Sequence, residues 1–333
     1  MSSNTTKAIE AEPKTAGVGP EKPSSKFPSN GIPDEGLPAE NPRPPFTAFS
    51  IARRNFLLII VTAGGFTAPL AGNIYLPALP TLEGAFRVST ELINLTVGVF
   101  MLIFAFSPLF WGAQADIFGR KLLYSISIAL FVSSNVALAA APARYGSLMA
   151  LRILQAFGSS SVMSLGAGTI ADIFEPKLRA RAVSFFSLGP QLGPVLGPVV
   201  GGAIIQKATW RWLFGFLAIY GFLIFIWMLV CLPETLRSRV GNGAIYEGQP
   251  WIAFPNFSRK APIAPGTPMP KRPGVRGIFV LMKYPPIILV SVNVAVIFGS
   301  YYCVAVTFPT FLKRIYGFSP ASIGASYLSP GVP

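Results

Sequence analysis

Arg152 is the only charge between Gly146 and Ala171, and Gln155 follows it at a spacing that puts both on one face of a helix. An arginine at the centre of a membrane helix costs about 2.5 to 3.5 kcal/mol on insertion scales, so such a charge marks function by default. Arg152 stands near the start of its run, which leaves open the alternative that its long stem carries the cation to the interface. A second group lies in a short polar stretch: Gly112, Asp116, Gly119, Arg120 and Lys121. Glycine permits a tight turn and close approach, and fixed charges at that turn make a lock between two helices. Asp172 is the natural partner for Arg120, and opening such a lock biases a conformational equilibrium. Topological decoration by positive charge is the plainer reading of the same residues. A third group is Gly189-Pro190, Gly193-Pro194 and Gly197-Pro198, followed by Gly201-Gly202. Glycines four apart form a groove that admits a neighbouring helix backbone, and interior prolines remove hydrogen bonds, so a bent gating helix is expected.

The groups that are missing exclude other chemistry. There is no histidine, so imidazole-dependent triads and HExxH zinc sites have no residue to use. Cys231 and Cys303 both sit in apolar runs, which indicates neither a disulfide framework nor a thiolate metal site. No enzyme, cofactor or metal is implied. The net charge of +14 is spread between long uncharged runs rather than gathered on an aromatic-interleaved surface, which argues against nucleic acid as a partner.

The elements that must position these groups are membrane helices. The 333 residues are 52% hydrophobic and 12% charged, where soluble domains carry about 25% charged residues. A hydrocarbon core takes roughly 20 helical residues. Matching uncharged runs are Phe56 to Leu79, Leu92 to Ala115, Leu122 to Ala143, Gly146 to Ala171, Ala182 to Gln206 and Trp212 to Pro233, with Tyr284 to Leu312 a seventh and Ile315 onward the start of an eighth. Residues 1–54 lack an apolar block and read as a disordered tail; 55–233 form a six-helix bundle; 234–285 form a basic, Pro-rich loop; 286–333 begin a second bundle. With the N-terminus in the cytoplasm, the outer segments hold only Arg87, Arg144, Lys207, Arg211, Lys313 and Arg314 of the 27 Lys and Arg residues. Apart from Arg152, the rest fall inside, as the positive-inside rule requires.

These motifs resemble those of the major facilitator superfamily. The stretch from Gly112 to Lys121 is similar to that family's signature between its second and third helices, with Gln114 where the family has Leu and Ile117 where it has Arg. Arg152, Gln155 and Gly158 resemble the fourth-helix motif, which implies a part for Arg152 in proton coupling. The Gly-Pro series resembles the fifth-helix motif of antiporters. Leu70 to Pro80 is similar to the first-helix signature of twelve-helix drug:proton antiporters. Trp210-Arg211-Trp212 and Leu232 to Leu236 look like fungal members, and Val240 to Gly243 is similar to the multidrug, quinidine-resistance or dityrosine-exporter group. The two tryptophans equally suit interfacial anchors.

The resemblance implies an all-α membrane protein with the major facilitator fold, the chain stopping within the eighth helix of twelve. It implies a secondary active transporter that exports small amphipathic compounds by proton antiport, in the plasma membrane or else the vacuolar one. Its expected partners are a small-molecule substrate, protons and the lipid bilayer. Candidate cavity residues are Asn73, Tyr75, Gln155, Gln191, Asn293, Tyr301 and Tyr302. No Asp or Glu lies deep within the seven complete spans, so the coupling carboxylate belongs to a missing half or Arg152 takes its place by exchanging partners. A non-transporting receptor on the same fold, or a nonfunctional fragment, are the competing readings.

Overall fold

The computed structural model describes residues 46–243 and 283–328. The expected tail up to residue 45, most of the expected basic loop and the last five residues lie outside the described residues.

Seven helical segments are long and apolar enough to cross a membrane. The first, Ile51–Phe86, is broken into α1 (Ile51–Gly65), α2 (Thr67–Asn73), a 3-10 turn (Leu76–Ala78) and α3 (Leu79–Phe86). The sequence expectation was one span ending at Leu79. Pro77 and Pro80 have no N–H to offer the carbonyls four residues back, which explains the interruption after Asn73. The others are α4 (Thr90–Phe118), α5 (Arg120–Ala140), α6 (Tyr145–Ile173), α7 (Pro176–Lys207) and α8 (Arg211–Cys231). A short α9 (Arg237–Val240) follows, and then α10 (Pro285–Tyr316) and α11 (Pro320–Ser326). The described residues include no strand.

Two clusters of buried apolar side chains fill the bundle, one around Tyr75, Phe100, Phe131 and Phe214, the other around Trp111, Tyr124, Phe186 and Met228. Small residues set the closest helix approach. At Gly158 of α6 an added Cβ would lie 2.7 Å from the Phe131 backbone nitrogen and 2.8 Å from the Ser127 carbonyl oxygen of α5. Ser161 and Ser127 join the same two helices by a 2.7 Å hydroxyl hydrogen bond. The α7 helix runs unbroken through Pro190, Pro194 and Pro198, with Gly189, Gly193, Gly197 and Gly201 buried along it.

Candidate functional site

The three sequence-derived groups are a charged turn at one end of the bundle, a buried cation network, and a groove that runs along the first span. At one end, α4 stops at Gly119, whose φ of +93° favours glycine, and α5 begins one residue later. This turn sets Arg120 between two carboxylates: its Nε donates to Asp172 at 2.6 Å and its Nη2 to Asp116 at 3.3 Å. The expected Arg120–Asp172 pair therefore forms, with both side chains nearly buried. Gly112 lies one turn above Asp116, its Cα facing Ser164 of α6.

Sequence reasoning missed the acid that organises this end. Glu234, 2% exposed, accepts hydrogen bonds from the backbone N–H groups of Arg120, Lys121, Thr235 and Leu236 at 2.9, 3.2, 2.9 and 3.0 Å. Two of those donors are otherwise unsatisfied groups at the start of α5, where a carboxylate is also favoured by the helix dipole. A Cβ on Gly119 would collide with this carboxylate. The available signal was an acid directly after Pro233 at the exit of the sixth span. Arg237 donates to the carbonyls of Asp172 and Phe46 at 3.0 and 2.8 Å, and Arg239 to that of Ile117 at 2.9 Å. Burial pushes the Arg237 pKa down while Asp172 beside it pulls it back up.

At mid-bundle Arg152 is fully buried, which excludes the interfacial alternative for this conformation. Its Nη1 donates to the Ala71 carbonyl at 3.2 Å and to Gln155 Oε1 at 2.7 Å. Gln155 in turn donates to Asn135 Oδ1 at 2.6 Å, and Asn135 to the Phe131 carbonyl at 2.7 Å. The rings of Tyr75 and Phe100 sandwich the guanidinium, each with its centroid 4.3 Å away. Arg152 Nε and Nη2 are buried with no hydrogen-bond partner, and no carboxylate pairs with the group, among the described residues.

The α7 groove receives the first span. A Cβ on Gly189 would strike the Thr62 carbonyl oxygen, one on Gly193 would lie 2.7 Å from Pro69 C, one on Gly197 3.0 Å from Ile74 N, and one on Gly201 would strike the Ile74 carbonyl oxygen. Gly202 faces α11 instead, meeting Gly324 and the Pro320 carbonyl, while the Pro198 carbonyl meets Gly324.

Beside this groove is a cavity of about 530 Å³ bounded by α2, α4, α6, α7 and α10. Gln191, Tyr301 and Tyr302 line it together with Pro190 and Pro194, against Phe100, Phe104, Met101, Met163, Phe298 and Tyr327. Asn73 sits at its edge, buried, donating to the Pro69 carbonyl at 2.7 Å and to the Tyr302 hydroxyl at 3.3 Å, with Oδ1 unpartnered. The Tyr327 hydroxyl donates to the Ala305 carbonyl at 2.6 Å. Three expected cavity residues fall elsewhere. Tyr75 is fully buried in the core, bonded to the Thr96 hydroxyl at 3.0 Å and packed on Arg152. Asn293 is exposed: it lies about two and a half helical turns before Tyr302, which puts it on the opposite face of α10. Gln155 likewise belongs to the Arg152 network and not to the cavity lining.

Seven long apolar helical segments, the first of them broken, with a buried cation near an aromatic cavity, place the chain in the class of multi-pass helical membrane proteins. Residues 61–332 match the model of the Major Facilitator Superfamily, and the chain belongs to that family. It is 43% identical over 314 residues to dityrosine transporter 1 of Saccharomyces cerevisiae and 45% identical over 316 residues to the multidrug transporter DTR1 of Candida glabrata. Each alignment covers 86% of this chain, but 55% and 58% of those relatives, so the chain spans little more than half their length. These relatives match the fungal drug:proton branch that the motifs resemble. In fold, a bacterial homologue of the human lysosomal transporter Spinster superimposes with a TM-score of 0.65 at 18% identity, covering 85% of this chain and 60% of that one. A D-xylose–proton symporter gives 0.55 at 18% identity, covering 83% and 65%.

Proposed function

We propose that this protein is a secondary active transporter that exports small amphipathic, aromatic-rich organic compounds by alternating access, coupled to protons. The observation that carries this reading is the cavity. Its wall is almost wholly apolar and aromatic, with Gln191, Tyr301 and Tyr302 as the few polar groups able to orient a ligand. The names of the two yeast relatives, one a dityrosine and one a multidrug transporter, agree with an aromatic cargo. In this reading Arg152 and Gln155 take part in proton coupling, α7 is the gating helix, the Gly112–Lys121 turn with Asp172 is the conformational lock, and the N-terminus is cytoplasmic. The plasma membrane is the proposed location.

Efflux of a fluorescent amphipathic dye such as rhodamine 6G, from fungal cells with and without the intact gene, tests the proposal. Expression should lower steady-state dye, and a protonophore should restore it. Equal dye content in both strains would remove the export reading, and protonophore-insensitive efflux would remove the coupling.

A further inference from the structure

We propose that a cleft between α1 and α7 is a binding site for an anionic phospholipid. The cleft, about 420 Å³, opens where the first turns of α1 and α7 meet, and Phe174 from the end of α6 closes its inner side. Two cations border it, Arg54 and Arg181, and no carboxylate is among its lining residues. Neither arginine makes an ion pair among the described residues. Arg54 rests its guanidinium 5.9 Å from the Phe174 ring centroid, with Nε buried and without a hydrogen-bond partner. Below the cations the floor is apolar, and it continues onto the outer face of the bundle through Ile59 and Phe185, 47% and 43% exposed.

Charge and shape together select the occupant. Two unneutralised guanidinium groups at the edge of the hydrocarbon-facing surface present the donors that a phosphodiester accepts. The apolar floor, continuous with the lipid-facing surface, gives an acyl chain a bed that a soluble anion could not use. A phospholipid with net negative headgroup satisfies both, with its phosphate between Arg54 and Arg181 and a chain along Leu58, Ile59 and Phe185. The inference requires only that the helices span a bilayer and does not depend on transport.

Native mass spectrometry of the purified full chain, released from nanodiscs of phosphatidylcholine with or without phosphatidylserine, tests it. The wild-type chain should retain phosphatidylserine in preference to phosphatidylcholine. Juxtamembrane basic residues contribute enough that Arg181→Gln should weaken retention about fivefold, and Arg54→Gln with Arg181→Gln about 25-fold. Arg181 is exposed, so its single variant keeps the fold and guards the result against misfolding of the double variant. The paired change Arg87→Gln and Arg144→Gln, at the opposite end, should leave retention unchanged. Unaltered phosphatidylserine retention in the Arg181 and double variants would overturn the proposal. So would displacement of the lipid by millimolar inorganic phosphate, which would mark an anion site without a lipid bed.

Discussion

Replacing Arg152 by Met should separate function from stability. The guanidinium has two hydrogen bonds on Nη1 and two aromatic faces, but no carboxylate among the described residues. Hydrogen bonds to a charged group contribute about 1.5 to 3 kcal/mol each, and a desolvated cation–π contact about 2 kcal/mol. Against them stands the effective desolvation penalty of a buried ion, several kcal/mol. The two sides nearly offset. Methionine keeps most of the side-chain volume and removes the penalty, leaving mainly Gln155 Oε1 without its donor, which costs about 1 to 3 kcal/mol. The Met variant should therefore stay within about 3 kcal/mol of wild type, whereas Arg152→Ala adds a cavity and should lose about 2 to 4 kcal/mol more. Thermal unfolding in detergent, followed by a thiol-reactive dye at half-buried Cys231, reads stability; dye efflux from cells reads activity. The expected result is a folded Met variant with export reduced at least tenfold. Wild-type export by that variant would refute a role for the charge in the cycle. A Met variant that fails to fold beside a stable Arg152→Lys would make the residue structural.

Two further substitutions probe the groove and the charged turn by the same unfolding measurement. Gly193→Ala places a Cβ against Pro69 backbone, 2.7 Å from its carbonyl carbon, so α7 and the first span must move apart; overpacking of this kind costs about 1 to 3 kcal/mol. Gly98→Ala, with open space at its Cβ, should be neutral or slightly stabilising, and equal effects at the two sites would remove the close-approach argument. Asp172→Asn should cost about 3 to 5 kcal/mol because it strands the nearly buried Arg120, while Asp116→Asn, 34% exposed and 3.3 Å away, should cost about 0.5 kcal/mol. The reverse ranking would show that the local α4–α5 pair holds the turn.

How much of this was legible in the sequence follows from the range of each interaction. Helix limits depend on local apolar length, and they emerged within about three residues for α4, α5, α6 and α8, while α7 begins at Pro176, six residues before the expected Ala182, because its first turns carry Lys177, Arg179 and Arg181. The groove also was legible, since glycine spacing along one helix fixes which face lacks side chains. Side-chain destination was less so. Tyr75 and Asn73 sit two residues apart, about 200° around a helix, so they cannot face one cavity together, and Tyr75 packs on Arg152. Asn135 and Glu234 were missed because their partners, Gln155 and the α5 N-terminus, are brought near only by packing of α5 against α6 and α8. The cavity wall is phenylalanine, methionine, proline, tyrosine and aliphatic side chains with a single glutamine, and its apolar residue types look the same in sequence whether they face core, lipid or ligand.

The positions of the charges also change what a lock can mean for this protein. Every partner described for Arg120, Glu234 and Arg239 lies within the first six spans and the chain that leaves them. Among the described residues these contacts tie α4, α5, α6 and the exit of α8 to one another, so they stiffen one body. Contact with α10 is of another kind. At the opposite end Glu83 pairs with Arg314 at 3.6 Å, with side chains 30% and 67% exposed, and an exposed pair of this sort contributes about 0 to 1 kcal/mol. Beside the cavity, Asn73 meets Tyr302 through one long hydrogen bond. These two polar contacts contribute little, but α11, which follows α10, packs Gly324 against Gly202 and the Pro198 carbonyl of α7, while shear within the six-helix body would break the Arg120–Asp172 pair and the Glu234 cap. The aromatic cavity lies where α10 meets the first six spans, so a ligand held there touches both sides of that boundary.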